Sequence, residues 1–218
     1  MLDVPLELRK GSRATNVDSA MAQAADQIRF ICRAIGRPDL EGVSLLDIGC
    51  GVKFSQAILN RGLPIGAYHG VDVDGEMIAY LKSAVVDPRF SYHHIDVHNR
   101  RYNKRGAPLT ADTELGAGGR RFDVVGLFSV FSHLEPADYQ AMLALARRHV
   151  AAQGKLVFTT FIRDGLASDY QDEDPARPLL RALYREEAVR RYAEAAGWRV
   201  EQVVPPKRAQ HYVVCTPA

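Results

Sequence analysis

The chain is predicted to fold as an α/β domain, a mainly parallel sheet covered by helices on both faces, and three features of the sequence carry that prediction. Short apolar runs bounded by glycine and proline alternate with segments of helical period, the pattern of strands joined by crossover helices. The run VSLLDIGCGVKF at residues 43–54 ends in an aspartate, two glycines flanking a cysteine, and a switch toward helical spacing, so it reads as strand, tight turn and helix start. Three runs in series end in an acid: Asp47, Asp72 and Asp96. In a parallel sheet those ends share one rim, the side on which open α/β sheets bind ligands.

In chain order, residues 1–16 are polar and aperiodic, a mobile arm or a flap. Met21, Ala24, Ala25, Ile28, Ile31, Cys32 and Ile35 recur at helical spacing, with Asn16 or Asp18 as cap and Gly36-Arg37-Pro38 as stop. This helix either covers one side of the sheet or closes over a ligand. The domain proper is expected at 43–218, with 1–42 as an arm and helix packing on it or acting as a lid. Strand one is placed at 43–48, a helix at 54–61, strand two at 67–73, a helix at 75–84 and strand three at 90–97. Strand four follows at 122–128, a helix at 139–150, strand five at 155–161 and a helix at 184–196 stopped by Gly197. The last strands are 198–204 and 211–215, joined through Pro205-Pro206. Two long connections, 98–121 and 162–183, leave carboxyl ends of strands, and loops of such length are commonly functional or disordered.

Composition narrows the class. At 218 residues, 47% hydrophobic and 25% charged, the chain is an ordinary globular protein of one domain. A formal charge of +2 argues against a polyanionic partner. The cysteines Cys32, Cys50 and Cys215 are odd in number and far apart, which suggests reduced thiols rather than a disulfide framework or a CxxC metal site. With neither an apolar leader nor a run long enough to span a bilayer, a cytoplasmic protein without a membrane partner is expected.

Asp72 follows Gly51 by 21 residues, near the offset at which a carboxylate grips the two ribose hydroxyls of an adenosine ligand. A dinucleotide fingerprint would need glycine where Phe54 stands, so a nicotinamide-dependent oxidoreductase is a distant alternative. Through LLDIGCG, GVDVDGEMI, HHIDV, RFDVVGLFSVFSHL and GKLVFTTF, residues 43–161 resemble the class I S-adenosylmethionine-dependent methyltransferases. The resemblance implies a Rossmann-like, doubly wound, seven-stranded sheet in the order 3-2-1-4-5-7-6, its last strand antiparallel. It further implies that Asp47, Gly49, Cys50 and Gly51 lie against the methionine part of the cofactor and that Asp72 binds ribose. Val73 and Met77 would pack on adenine or ribose, Asp96 with Val97 would face the adenine, and Phe128 and Ser129 would line the methyl-transfer cavity. The family usually has a third glycine where this chain has Val52-Lys53. Either Lys53 replaces it, or the loop is shorter and the helix starts early; Lys53 then contacts the cofactor carboxylate or is a surface lysine.

Methyl transfer from a sulfonium needs alignment and exclusion of water more than an enzyme nucleophile, but an alcohol or phenol acceptor benefits from a base. Two histidines are candidates: His133 after strand four, and His211 at the start of the last strand, whose antiparallel course brings it to the ligand rim. Each has a structural alternative as a backbone-bonded histidine. His94, Asp96 and His98 share a strand face but make a weak metal pattern, and no metal is expected. No Asn/Asp-Pro-Pro-aromatic motif follows strand four and no Pro-Cys pair is present, which disfavours nucleic acid. The reading is therefore a small-molecule O- or N-methyltransferase, monomer or homodimer, using S-adenosyl-L-methionine and releasing S-adenosyl-L-homocysteine, with Tyr102, Arg163 and Tyr170 as wall residues. A noncatalytic cofactor-binding or interaction module is the alternative.

Overall fold

The computed structural model describes residues 1–9, 16–206 and 209–218. After a 3₁₀ turn (Leu6–Leu8) come α1 (Val17–Ala34), β1 (Leu40–Ile48), α2 (Lys53–Arg61), β2 (Ile65–Asp72), α3 (Gly75–Ala84), β3 (Phe90–His94) and β4 (Phe122–Leu127). A second 3₁₀ turn (Phe131–His133) leads into α4 (Pro136–His149) and β5 (Val150–Ile162). The remaining elements are β6 (Tyr170–Asp172), β7 (Ala182–Tyr184), α5 (Glu186–Ala195), β8 (Trp198–Val204) and β9 (His211–Pro217).

β1 is central because it is apolar on both faces: Leu45, Leu46 and Ile48 are all at most 1% exposed. It pairs in parallel with β2 and β4, β2 with β3, and β4 with β5. β9 lies antiparallel between β5 and β8. Counted over the seven expected strands, this is the predicted 3-2-1-4-5-7-6 order. One core packs α1, α2 and α3 on one face through Ala24, Ile28, Phe54, Ile58, Ile78 and Leu81. The other packs α4 and α5 through Tyr139, Leu143, Val189 and Ala193, with Trp198 of β8. Local chemistry marks the helix ends. Asn16 accepts the Ser19 N–H at 2.8 Å and Asp74 accepts the Met77 N–H at 3.1 Å as N-caps, while Gly62 closes α2 at φ 61°.

Several boundaries differ from those expected. β1 begins at Leu40 and β5 at Val150, each extending toward its amino end, and α4 begins at Pro136, a residue suited to a helix's first turn. β3 stops at His94, so Asp96 lies past the strand. α5 begins at Glu186, and Tyr184 belongs to β7 instead. The second long connection carries the hairpin of β6 and β7, and β7 adds in parallel to Phe161 and Ile162 at the end of β5.

The first long connection, 98–121, is partly packed into the core. Leu109, Leu115 and Ala117 are buried in the core, while Arg100 pairs with Glu135 at 2.9 Å. At the amino end, Leu2 and Val4 are buried, and Leu2 exchanges hydrogen bonds with Asn60 of α2 at 2.6 and 3.0 Å. Part of the expected arm, residues 10–15, lies outside the described residues, as do 207–208 of the final turn. The three cysteines are free and buried. No helix among the described residues is long and apolar enough to cross a membrane.

Candidate functional site

The carboxyl ends of β1 to β5 open into one cleft of about 1510 Å³, roofed by α1. Its size follows from the crossovers: each strand end turns away into a helix or loop and leaves a trough above the rim. The turn after β1 supplies bare backbone. Gly49 and Gly51 have φ of 71° and 50°, and a Cβ on Gly49 would collide with the side chain of Val130. Lys53 is the first residue of α2, behind Val52, which makes no side-chain cap; the helix therefore starts early where a third glycine would stand. Lys53 lines the cleft.

Asp72 closes this turn from the end of β2. Its Oδ2 accepts the Gly51 N–H at 2.9 Å and its Oδ1 the Asp74 N–H at 3.0 Å. Burial raises its pKa, and those two N–H donors oppose the rise. Each carboxylate oxygen keeps a second lone pair for an incoming hydroxyl. Val73, Met77, Asp96 and Val97 continue the wall, with Asp96 Oδ1 accepting from Asn103 at 2.8 Å. Cys50 also lines the cleft, and burial raises its thiol pKa well above the ordinary value, so it stays neutral.

Beyond β4 the lining becomes aromatic. Phe128, Tyr212 and Phe30 form a chain of rings along it with centroids 6.3 and 4.5 Å apart, backed by the buried Phe54 at 5.2 Å from Phe128. Ser129 holds φ 62°, a left-handed conformation that costs on the order of 1–3 kcal/mol for a residue with a Cβ. Thr159 secures it by accepting its N–H at 2.8 Å, and its hydroxyl donates to Gln210 at 3.3 Å. His133 stands at the same end. Its Nδ1 lies 2.8 Å from the Leu179 carbonyl, and burial lowers its pKa. Since a carbonyl only accepts, Nδ1 carries the proton and Nε2 holds the lone pair.

Two expected site residues stand elsewhere. Asp47 is absent from the cleft wall: it is 2% exposed, its Oδ2 accepts the Tyr68 hydroxyl at 2.7 Å, and burial pushes its carboxyl up to about 7. His211 is also not among the lining residues. It pairs with Thr160 while Tyr212 pairs with Thr159, and only the second pair faces the cleft. His211 therefore reaches the right rim on the wrong face, where Glu186 and Asp164 are its charged neighbours. Of the expected wall residues, Tyr102 lines the cleft, while Tyr170 packs on Tyr184 with centroids 5.2 Å apart and Arg163 pairs with Glu173 at 3.1 Å. Among the described residues, no three His, Cys, Asp or Glu side chains gather as for a metal ion. The sequence reading missed Phe30, Thr159 and Leu179. Phe30 carried a signal, since its position on the predicted helix differs from that of the core stripe.

Residues 17–203 match a family model described as a methyltransferase domain. The fold is similar to that of the glycopeptide N-methyltransferase MtfA complexed with S-adenosyl-L-methionine. The TM-score is 0.60 at 15% identity, covering 91% of this chain and 94% of that one. It is likewise similar to Streptomyces venezuelae DesVI, with a TM-score of 0.61, 18% identity and full coverage of both chains (100% and 100%). The magnesium protoporphyrin IX methyltransferase ChlM from Synechocystis, solved with bound S-adenosylmethionine, gives 0.58 at 13% identity, with 97% of this chain and 88% of that one covered.

Proposed function

The chain belongs to the methyltransferase-domain family, and from that premise we propose that it methylates an oxygen or nitrogen of a small-molecule acceptor with S-adenosylmethionine. The observation that carries this reading is the continuity of the cleft from the Gly49–Gly51 turn and Asp72, past Phe128 and Ser129, to His133. The residues present fit the cofactor held in the MtfA and ChlM structures. The bare backbone of Gly49, Cys50 and Gly51 with the opening turn of α2 suits an amino-acid end, N–H groups there favouring a carboxylate. Lys53 adds a positive charge at that end. Asp72 would take the ribose hydroxyls, and Val73, Met77, Asp96 and Val97 would surround the base. When bound, the cofactor supplies an electrophilic methyl group on a sulfonium whose thioether is the leaving group.

The chain's own part is alignment, dryness and proton removal. The aromatic wall of Phe30, Phe128 and Tyr212 excludes water and orients an acceptor. His133, neutral near pH 7 because burial lowers its pKa, would take the acceptor proton at Nε2. Isothermal titration with S-adenosylmethionine and S-adenosylhomocysteine tests the cofactor, and absence of binding by either overturns the reading. Release of S-adenosylhomocysteine over a panel of small alcohols, phenols and amines then tests transfer. With any acceptor so found, His133→Ala is expected to lower turnover about 10²-fold or more while sparing cofactor affinity. Undiminished turnover would remove its assigned role.

A further inference from the structure

We propose that Asp172 is a positioning residue for His133: by clamping the Leu179 N–H it holds the Leu179 carbonyl on His133 Nδ1 and fixes the imidazole as the Nδ1–H tautomer. The inference rests on the reading of His133 as general base and names the device that selects its reactive nitrogen.

The linkage runs through two contacts and one unusual backbone. Asp172, the last residue of β6, accepts the Leu179 N–H on Oδ2 at 2.8 Å. Leu179 in turn accepts His133 Nδ1–H at the same distance of 2.8 Å. Between the two hydrogen bonds, Leu179 sits at φ 57°, one of two such non-glycine residues among those described, the other being Ser129 of the cleft wall. Leucine left to itself relaxes to negative φ, and rotation about that bond carries its carbonyl away from the position its N–H defines. The clamp is thus what makes the carbonyl available. Burial of the Leu179 side chain, 2% exposed, anchors the residue but does not direct the carbonyl.

Other contacts around His133 act on the main chain. Asn99 Nδ2 donates to the His133 carbonyl at 3.0 Å, and the Tyr184 hydroxyl donates to the Leu134 carbonyl at 2.7 Å. They hold the segment while leaving the ring free to rotate or exchange tautomers. Tyr102 meets the ring edge-on at 5.5 Å, a contact indifferent to which nitrogen is protonated. Leu179 alone of these distinguishes Nδ1 from Nε2. Asp172 Oδ1 is buried without a hydrogen-bond partner, a cost that the Oδ2 contact with the Leu179 N–H helps to offset.

The test reads the ring directly and needs no acceptor. Imidazole nitrogen resonances of uniformly ¹⁵N-labelled full-length protein are recorded above the His133 pKa and assigned by their loss in His133→Gln. The wild type is expected to show a pyrrole-type Nδ1 and a pyridine-type Nε2. In Asp172→Ala the two signals are expected to move toward each other as the Nε2–H form becomes populated. Asp172→Asn, whose amide oxygen still accepts the Leu179 N–H, is expected to restore the wild-type pattern. An Nε2–H ring in the wild type, or an unchanged tautomer in folded Asp172→Ala, overturns the proposal. Should Asp172→Ala fail to fold, the wild-type spectrum and Asp172→Asn decide it: an Nε2–H ring in either is refutation. Turnover enters none of these readouts, so failure of His133 as the base would be seen separately in the His133→Ala assay.

Discussion

Asp47 and Asp72 stand at the carboxyl ends of neighbouring parallel strands, yet their surroundings differ. Asp72 lines the cleft, whereas Asp47 is turned inward onto Tyr68 and burial pushes it up to about 7. An aspartate whose folded pKa lies above its unfolded value, about 3.9, binds more protons folded than unfolded between the two. Its contribution is therefore present at low pH and lost as pH rises from about 4 to about 7. Asp47→Asn keeps an acceptor for the Tyr68 hydroxyl and cannot ionise. Relative to the wild type it is expected to gain stability across that window, by at most about 4 kcal/mol at 1.36 kcal/mol per unit. Urea unfolding of both proteins at several pH values checks this, and a difference that does not grow with pH would place the ionisation of Asp47 elsewhere. Asp72→Ala is expected to weaken S-adenosylmethionine binding at least tenfold, about 1.4 kcal/mol, as read by titration calorimetry; unchanged affinity would strip Asp72 of its assigned contact. Chain order placed both acids at the rim. Which one faces the cleft depended on Tyr68, brought beside Asp47 by the pairing of β1 with β2, and no local pattern encodes that.

The elements show the same division between what is local and what is not. Helical period predicted α1, and its stripe of Ala24, Ile28, Ile31 and Cys32 indeed enters the core while Gln23, Phe30 and Arg33 line the cleft. One face of the helix thus packs into the core and another borders the cleft. If α1 is integral to the fold, Ile31→Ala, at a site 0% exposed, is expected to destabilise the whole domain by about 2–5 kcal/mol. The measurement is urea unfolding, with the midpoint lowered and a single transition retained. A hinged lid would instead give a loss well under 1 kcal/mol, near the range of surface changes. β9 illustrates the limit of pattern reading. The resemblance implied its antiparallel course, but a period of two makes one residue of register decide between Tyr212 in the cleft and His211 behind it. The hairpin of β6 and β7 was illegible for another reason: three-residue strands have no period to display, and Tyr184 reads equally well as a helix start.

At the scale of the molecule, alternating strands and helices made a parallel sheet covered on both faces legible, whereas the strand order came only with the resemblance carried by the LLDIGCG, GVDVDGEMI and HHIDV runs. The cleft was accessible in part, since strand ends of such a sheet converge by topology, whereas its far wall depends on where two long loops settle. That wall has a thermodynamic consequence. The cleft draws Gly51, Lys53 and Met77 from the α1–α3 side of the sheet, and Leu109, Leu134 and Met142 from the side of α4. A ligand seated there binds a surface that both cores must be folded to form, so it stabilises the native state as a unit and has no site on the unfolded chain. At a free concentration of 100 times its dissociation constant, S-adenosylhomocysteine is then expected to stabilise by about 2.7 kcal/mol and raise Tm by roughly 5–11 °C. The shift should grow with the logarithm of ligand concentration, and scanning calorimetry should show one transition throughout. Two transitions, with only one responding to ligand, would mean that the cleft is completed by one face of the sheet alone. An unmoved Tm at saturating ligand would mean that the cleft does not hold this cofactor at all.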